Sequence, residues 1–150
     1  LIEPTAIIDK GAKIDGSVYV AHFSYIMASA IIGPWCIVGA YVFIGENVDL
    51  AEGVQIMSHT TIVDCEVAKD VFIGPGVRIL NVMRPTVSNP NPKVDAVSIG
   101  EGAVIGGGSV ILPGVTIGPR AFVAAGAIVS KDLPAGTIAK GQAAQIMLEK

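Results

Sequence analysis

From Ile2 to Ile62 an aliphatic residue recurs at every sixth position: Ile2, Ile8, Ile14, Val20, Ile26, Ile32, Val38, Ile44, Leu50, Ile56 and Ile62. A period of six matches neither the turn of an α-helix, about 3.6 residues, nor the two-residue alternation of a flat strand. It requires a chain that turns a corner every six residues and returns to the same interior. The ladder resumes after a one-residue slip as Val67, Ile73 and Ile79, and after a longer gap as Ile99, Ile105, Ile111, Ile117, Val123 and Val129.

The residue after a rung is often glycine, as at Gly33, Gly39, Gly45, Gly74, Gly100, Gly106 and Gly118. A bend at that point is expected to need the backbone freedom that a Cβ removes. Four places after the rung comes a second residue expected to face inward, small or β-branched: Ala12, Val18, Ala30, Val42, Val48, Val54, Val77, Val115 and Ala127. Each hexad is therefore read as a short strand and a bend. Apolar residues make up 51% of the chain but aromatics only 5%, so the interior is expected to be stacked Ile and Val in one domain.

Several functions are excluded on composition. Glycines, prolines and charges interrupt every apolar stretch before it could cross a bilayer, and no export leader is visible, which makes the cytoplasm the expected compartment. A net charge of −3 with scattered lysines gives no basic stripe for nucleic acid. Cys36 falls on an inward position and reads as a buried thiol, with no disulfide to Cys65. Between Ile79 and Ile99 the sequence is too rich in Pro and Asn to continue the coil, so residues 81–98 are expected to form an external loop, the first place to look for specificity.

These hexads resemble the hexapeptide-repeat acyltransferases. The resemblance implies an all-β fold, a left-handed parallel β-helix of six to seven triangular coils with three hexads to a coil, against the usual right-handed crossover rule. The boundaries expected are 1–137 for the β-helix domain and 138–150 for a short C-terminal tail. It also implies homotrimers with active sites in the grooves between neighbours. The run from Ser98 to Gly118 is similar to the best-known stretch of that superfamily, and Ala124 to Pro134 resembles the segment lining its acetyl-CoA groove. Gly107, Ala125 and Gly126 would then let the pantetheine arm lie against the backbone, with Lys131 and Lys140 meeting the phosphates. The closing turn Gly141-Gln142-Ala143-Ala144-Gln145 lacks the proline and the cation of the superfamily's usual Gly-Asn-Pro-Ala-Arg-like turn.

Within the superfamily, the segments Val20 to Met27, Asp70 to Pro75, and Asn81-Val82 with Pro85 are similar in order and spacing to bacterial N-acetyltransferases of UDP-linked 3-amino uronic acids, which serve surface polysaccharide (lipopolysaccharide) synthesis. Acetyl transfer to an amine needs a proton acceptor, and the chain has two histidines, His22 and His59. They follow rungs 36 residues apart, two coils at three hexads per coil, so both are placed near one edge, about 10 Å apart along the axis. His59 stands where that family holds the substrate amine and is read as general base or amine orienter. His22 and Phe23 are read as substrate-groove residues, with Asn81 and Arg84 on the loop.

The bases of two other subfamilies are absent. At Val63-Asp64-Cys65 the chain is one residue short where the lipid A acyltransferases carry their histidine, and Val82, Met83 and Arg84 occupy the place of the base in simple sugar O-acetyltransferases. An amine needs less base assistance than a hydroxyl, which tilts the reading to N-acetylation of a nucleotide-linked amino sugar. A sugar O-acetyltransferase and a non-catalytic assembly subunit of the same fold stand as alternatives. Two histidines cannot supply the three zinc ligands of the γ-type carbonic anhydrases, and no metal is expected.

Overall fold

The structure, a computed structural model, describes residues 1–146. Its strands, almost all of two residues, fall into three parallel sheets of seven, six and seven strands. The first face begins with Ile7–Ile8, the second with Lys13–Ile14 and the third with Tyr19–Val20, and each strand pairs with the third one along the chain, except that Phe122–Val123 pairs with the second one along, Ile138–Ala139. Ile7 lies opposite Tyr25, Lys13 opposite Ile31 and Tyr19 opposite Ile37, so one coil takes 18 residues, three hexads. This is a parallel β-helix of about seven turns.

The rungs fill the interior. Every rung from Val20 to Val129 is at most 4% exposed, and each of the large ones adds about 1.5–3 kcal/mol of burial. Ile2 is 44% exposed, and Ile8 and Ile14 are only partly covered, because none of the described residues lies beneath the first coil. The second inward positions are buried as well, apart from Ala12, which is partly so. Cys36 and Cys65 are buried and unpaired, and burial pushes both thiols up.

The corners have a different chemistry from the one expected. Left-handed backbone falls three residues after the rung, at Phe23, Trp35, Tyr41, Asn47, His59, Asp70 and Arg120 as well as at Gly76, Gly108 and Gly126. A side chain there costs about 1–2 kcal/mol, offset in part because the corner N–H finds an acceptor one coil below: Phe23 N–H donates to Thr5 Oγ1 (3.2 Å), Trp35 N–H to Ser17 Oγ (2.8 Å) and His59 N–H to the Ala40 carbonyl (3.0 Å). The glycines that follow the rungs have ordinary φ; what they provide is close approach. A Cβ on Gly118 would sit 2.5 Å from Ala135 N, and one on Gly106 would sit 2.5 Å from Ala125 N.

Three departures from 18 residues mark the irregular places, the last of them the shortened closing coil in which Ile117 faces Leu133 and Phe122 faces Ile138. Thr61 lies opposite Arg78, one residue short, because the corner between Ile62 and Cys65 has lost a position. Arg78 then lies opposite Val110, and Cys65 opposite Val97, across the interposed loop. That loop is shorter at its end than residues 81–98, since Val97 and Ser98 belong to the strand Val97–Ile99. The helix also reaches past residue 137: Ile138–Ala139 pairs with Phe122–Val123 on the third face, so the first two residues of the expected tail are strand, while 147–150 lie outside the described residues.

Substituting Gly118→Ala is expected to cost about 1–3 kcal/mol in chemical unfolding, because the new methyl meets only backbone. Gly136→Asn, at φ 67° with open space around it, should stay within about 0.5 kcal/mol of the parent.

Candidate active site

Three edges join the three faces. The one between the third and first faces carries Phe23, Tyr41 and His59 on successive coils, all left-handed, and we term it the aromatic edge. The side chains form a column: Phe23 and Tyr41 stack with centroids 5.0 Å apart, and Tyr41 and His59 stack at 5.0 Å with their planes within 3°. His22 sits beside the lower end, 5.9 Å from Phe23 and tilted by 40°. Behind the edge, buried hydroxyls brace the backbone. Ser24 Oγ donates to the Gly39 carbonyl, Thr60 Oγ1 to that of Gly74, and Ser109 Oγ to that of Gly106.

The two histidines share this edge but differ in what holds them. His22 Nδ1 lies 2.8 Å from Thr5 Oγ1 and its Nε2 lies 3.4 Å from Glu3 Oε2, so both ring nitrogens are engaged within the chain. Thr5 Oγ1 already accepts the Phe23 N–H, which favours its own proton going to Nδ1 and leaves the His22 proton on Nε2, facing Glu3. His59 is exposed, and among the described residues neither of its ring nitrogens forms a hydrogen bond; its main-chain carbonyl accepts from Arg78 Nη1 at 2.5 Å. Of the two, His59 is the one free to take a proton from a bound molecule.

Above His59 the same edge is bare. Its next corner residues are Gly76, Gly108 and Gly126, and a Cβ on either of the last two would meet nothing within 4 Å. Among the described residues the N–H groups of Gly107 and Ala125 donate to no acceptor in the chain. Glycine corners beside two unpaired amides, with the Pro75 ring flanking Gly107, make a path that suits an extended amide-bearing arm, about 14 Å long from Gly126 down to His59 at one coil per ~4.8 Å. Lys140 follows Ile138–Ala139 at the top of this edge, and Gly141 beside it approaches Ala127 and Gly126.

The remaining candidates lie elsewhere on the chain. Asn81 stands at the foot of the loop, on the edge between the first and second faces, where its Nδ2 donates to Asp64 Oδ2 at 2.6 Å. Arg84 is exposed in the loop and lines a cavity of about 330 Å³ together with Met83, Asn89 and Lys93. Lys93 pairs with Asp95 at 2.7 Å, which holds its ammonium above the usual lysine range. Lys131 follows Ile128–Val129 and is also at the loop edge. The structure thus brings His22, Phe23, His59, Gly107, Ala125, Gly126 and Lys140 to one edge of the chain, and sets Asn81, Arg84 and Lys131 across the first face from them.

Sequence reasoning missed two residues here. Tyr41 completes the column, and counting three past the rung Val38 would have found it. Asp64, 8% exposed at the shortened corner, accepts from Asn47 Nδ2 (2.8 Å) as well as from Asn81 and so ties the loop to the coil below. Among the described residues no three His, Cys, Asp or Glu side chains converge as a metal site, and no helix is long and apolar enough to cross a membrane.

With this geometry the chain can be compared with known proteins. Residues 96–131 match the family described as bacterial transferase hexapeptide (six repeats). Those residues form a hexapeptide-repeat segment. It is similar to 2,3,4,5-tetrahydropyridine-2,6-dicarboxylate N-acetyltransferase of Staphylococcus aureus, 40% identical over 79 residues that make up 53% of this chain and 30% of that protein. Among solved structures it resembles a perosamine N-acetyltransferase variant from Caulobacter crescentus in complex with CoA and GDP-perosamine (26% identity, TM-score 0.57, 99% of this chain and 56% of that one). It also resembles a maltose O-acetyltransferase from Clostridium difficile (28% identity, TM-score 0.65, 73% and 64%). The repeat chain therefore spans about a third of the curated relative and little more than half of the perosamine enzyme.

Asp64→Ala leaves the Asn47 and Asn81 amides without their acceptor. The expected loss is about 1–3 kcal/mol in unfolding, with faster protease cleavage within residues 80–96 under native conditions; unchanged cleavage would show that the loop is held by something else.

Proposed function

We propose that this chain is the repeat portion of an acetyl-CoA-dependent N-acetyltransferase whose acceptor is the amine of a nucleotide-linked sugar, in surface polysaccharide synthesis. The observation that carries the reading is one edge on which an unengaged imidazole, His59, lies at the end of a bare amide-lined path. Similarity to two kinds of N-acetyltransferase supports the reaction, and the complex of the perosamine enzyme with CoA and GDP-perosamine supports the acceptor class. Residues 107–108 and 125–126 fit the pantetheine arm of the donor, with Lys140 near its phosphates. His59 takes the proton from the attacking amine as the nitrogen–acyl bond forms and the sulfur–acyl bond breaks, and returns it to the departing thiolate. His22, pinned by Glu3 and Thr5, shapes the lower groove together with Phe23.

The acceptor has a second reading. The curated relatives named for tetrahydropyridine dicarboxylate favour an amine-forming dicarboxylic acid instead of a sugar, and the maltose enzyme keeps a hydroxyl acceptor in view. Thiol release from acetyl-CoA, measured with an amino-sugar nucleotide, with the dicarboxylate and with a hydroxyl-only sugar, separates the three. The proposal expects release with the first alone and a fall of about 10²- to 10⁴-fold in His59→Ala. No release with any of them would leave a non-catalytic assembly subunit.

Asn81, Arg84 and Lys131 join this site only if a second copy supplies them, which we propose occurs in a homotrimer. The outward rows of the third and first faces, which meet at the aromatic edge, are largely apolar: Phe122 is 45% exposed, Ile138 65% and Ile128 70%. The second face instead presents Lys13, Asp49, Glu66, Ser98 and Thr116, with Ile31 its one apolar member. Contiguous exposed apolar surface of this kind marks an interface. Sedimentation should give a trimer for the parent and a smaller species for Phe122→Asp; a parent that runs as a monomer at tens of micromolar would end the shared-site account. We propose a cytoplasmic location, because acetyl-CoA and nucleotide sugars would be available there.

A further inference from the structure

His59 stands at an exposed corner, and among the described residues neither ring nitrogen is tied to another group. Its neighbour below is the ring of Tyr41, 5.0 Å away with the two planes within 3°. Tyr41 is itself covered on its other side by Phe23 at 5.0 Å. The lower end of the column rests against His22, whose imidazole Thr5 and Glu3 engage from the coil below. The stack therefore rises from a pinned base to a free end.

Backbone conformation adds a second observation. Phe23, Tyr41 and His59 have φ of 60°, 57° and 63°, which bulky side chains rarely adopt and which Gly or Asn would adopt at lower cost. Higher on the same edge glycine is used, at Gly76, Gly108 and Gly126. On this edge, then, rings stand at strained corners only where they touch His59 or support what touches it; Trp35, at φ 61° on another edge, is a ring at such a corner outside the column. Because both faces of Tyr41 are occupied, the tyrosine ring is not a platform for a ligand.

We infer that Tyr41 is a positioning residue for His59: its ring face fixes the plane of the imidazole and keeps both nitrogens at the rim of the stack, where a substrate amine can meet them. This rests on the reading of His59 as the proton acceptor. The ring face does the work, and the phenol hydroxyl does not. Stacking supplies the orientation that a carboxylate supplies to other catalytic histidines through a hydrogen bond.

The test compares Tyr41→Phe, which keeps the face, with Tyr41→Asn, which accepts the left-handed corner and removes it. In the NMR spectrum of the folded protein without ligand, the ring-current shift of the His59 Cδ2 and Cε1 protons should persist in Tyr41→Phe and be lost in Tyr41→Asn. In turnover, Tyr41→Phe should stay within about twofold of the parent, while Tyr41→Asn loses about tenfold in kcat with the KM for acetyl-CoA unchanged. Unmoved His59 resonances in Tyr41→Asn would overturn the inference, as would equal losses of kcat in the two variants. A parent with no acetyl transfer counts against the proposed function instead, and the resonances alone then decide whether Tyr41 holds the ring.

Discussion

The coil-to-coil hydrogen bond sets everything else in this molecule. Each strand is too short to be stable by itself, and it exists because its N–H and C=O groups meet those of the coils above and below in one register, as with Ile31 opposite Asp49 and Ile37 opposite Gln55. That register stacks like positions into lines. Inward lines become the aliphatic core, outward lines become faces of one character, and corner lines become edges on which side chains from distant parts of the sequence stand about one strand spacing apart. A ring at each of three successive corners must then stack.

The fold was legible because the rungs are constrained by volume. A prism this thin admits only one aliphatic size class at Ile26, Ile44 or Ile62, and the repetition is visible without alignment. The role of the glycines was less legible. A glycine after a rung and a glycine three places later look alike in the sequence, but Gly106 is small because Ala125 N passes close to it, whereas Gly108 is left-handed. Spacing cannot separate crowding from backbone conformation. Nor does a five-residue interval reveal which side of the corner lost a residue; the loss brings Asp64 inward, where it secures the loop.

For the site, counting along the ladder put His22 and His59 on one edge, and they lie there. The count did not show that His22 is engaged at both nitrogens, because Thr5 and Glu3 come from the coil beneath and only three-dimensional proximity pairs them. Tyr41 escaped notice because aromatic residues have no propensity for left-handed corners, so nothing local marks it. Asn81, Arg84 and Lys131 were grouped with the histidines by resemblance to multi-subunit relatives. In a single chain they are separated by a whole face, and the grouping is meaningful only between copies.

The account as a whole turns on the bare upper half of the aromatic edge being the donor path, with the ring column at its lower end presenting the proton acceptor. Amide chemical shifts followed during titration with CoA test this most directly. Changes concentrated at Gly107, Gly108, Ala125 and Gly126 are predicted, fading toward the other two edges. Changes centred instead on Gly102 and Gly136 at the edge that carries Trp35, or no changes at millimolar CoA in the assembled protein, would contradict it.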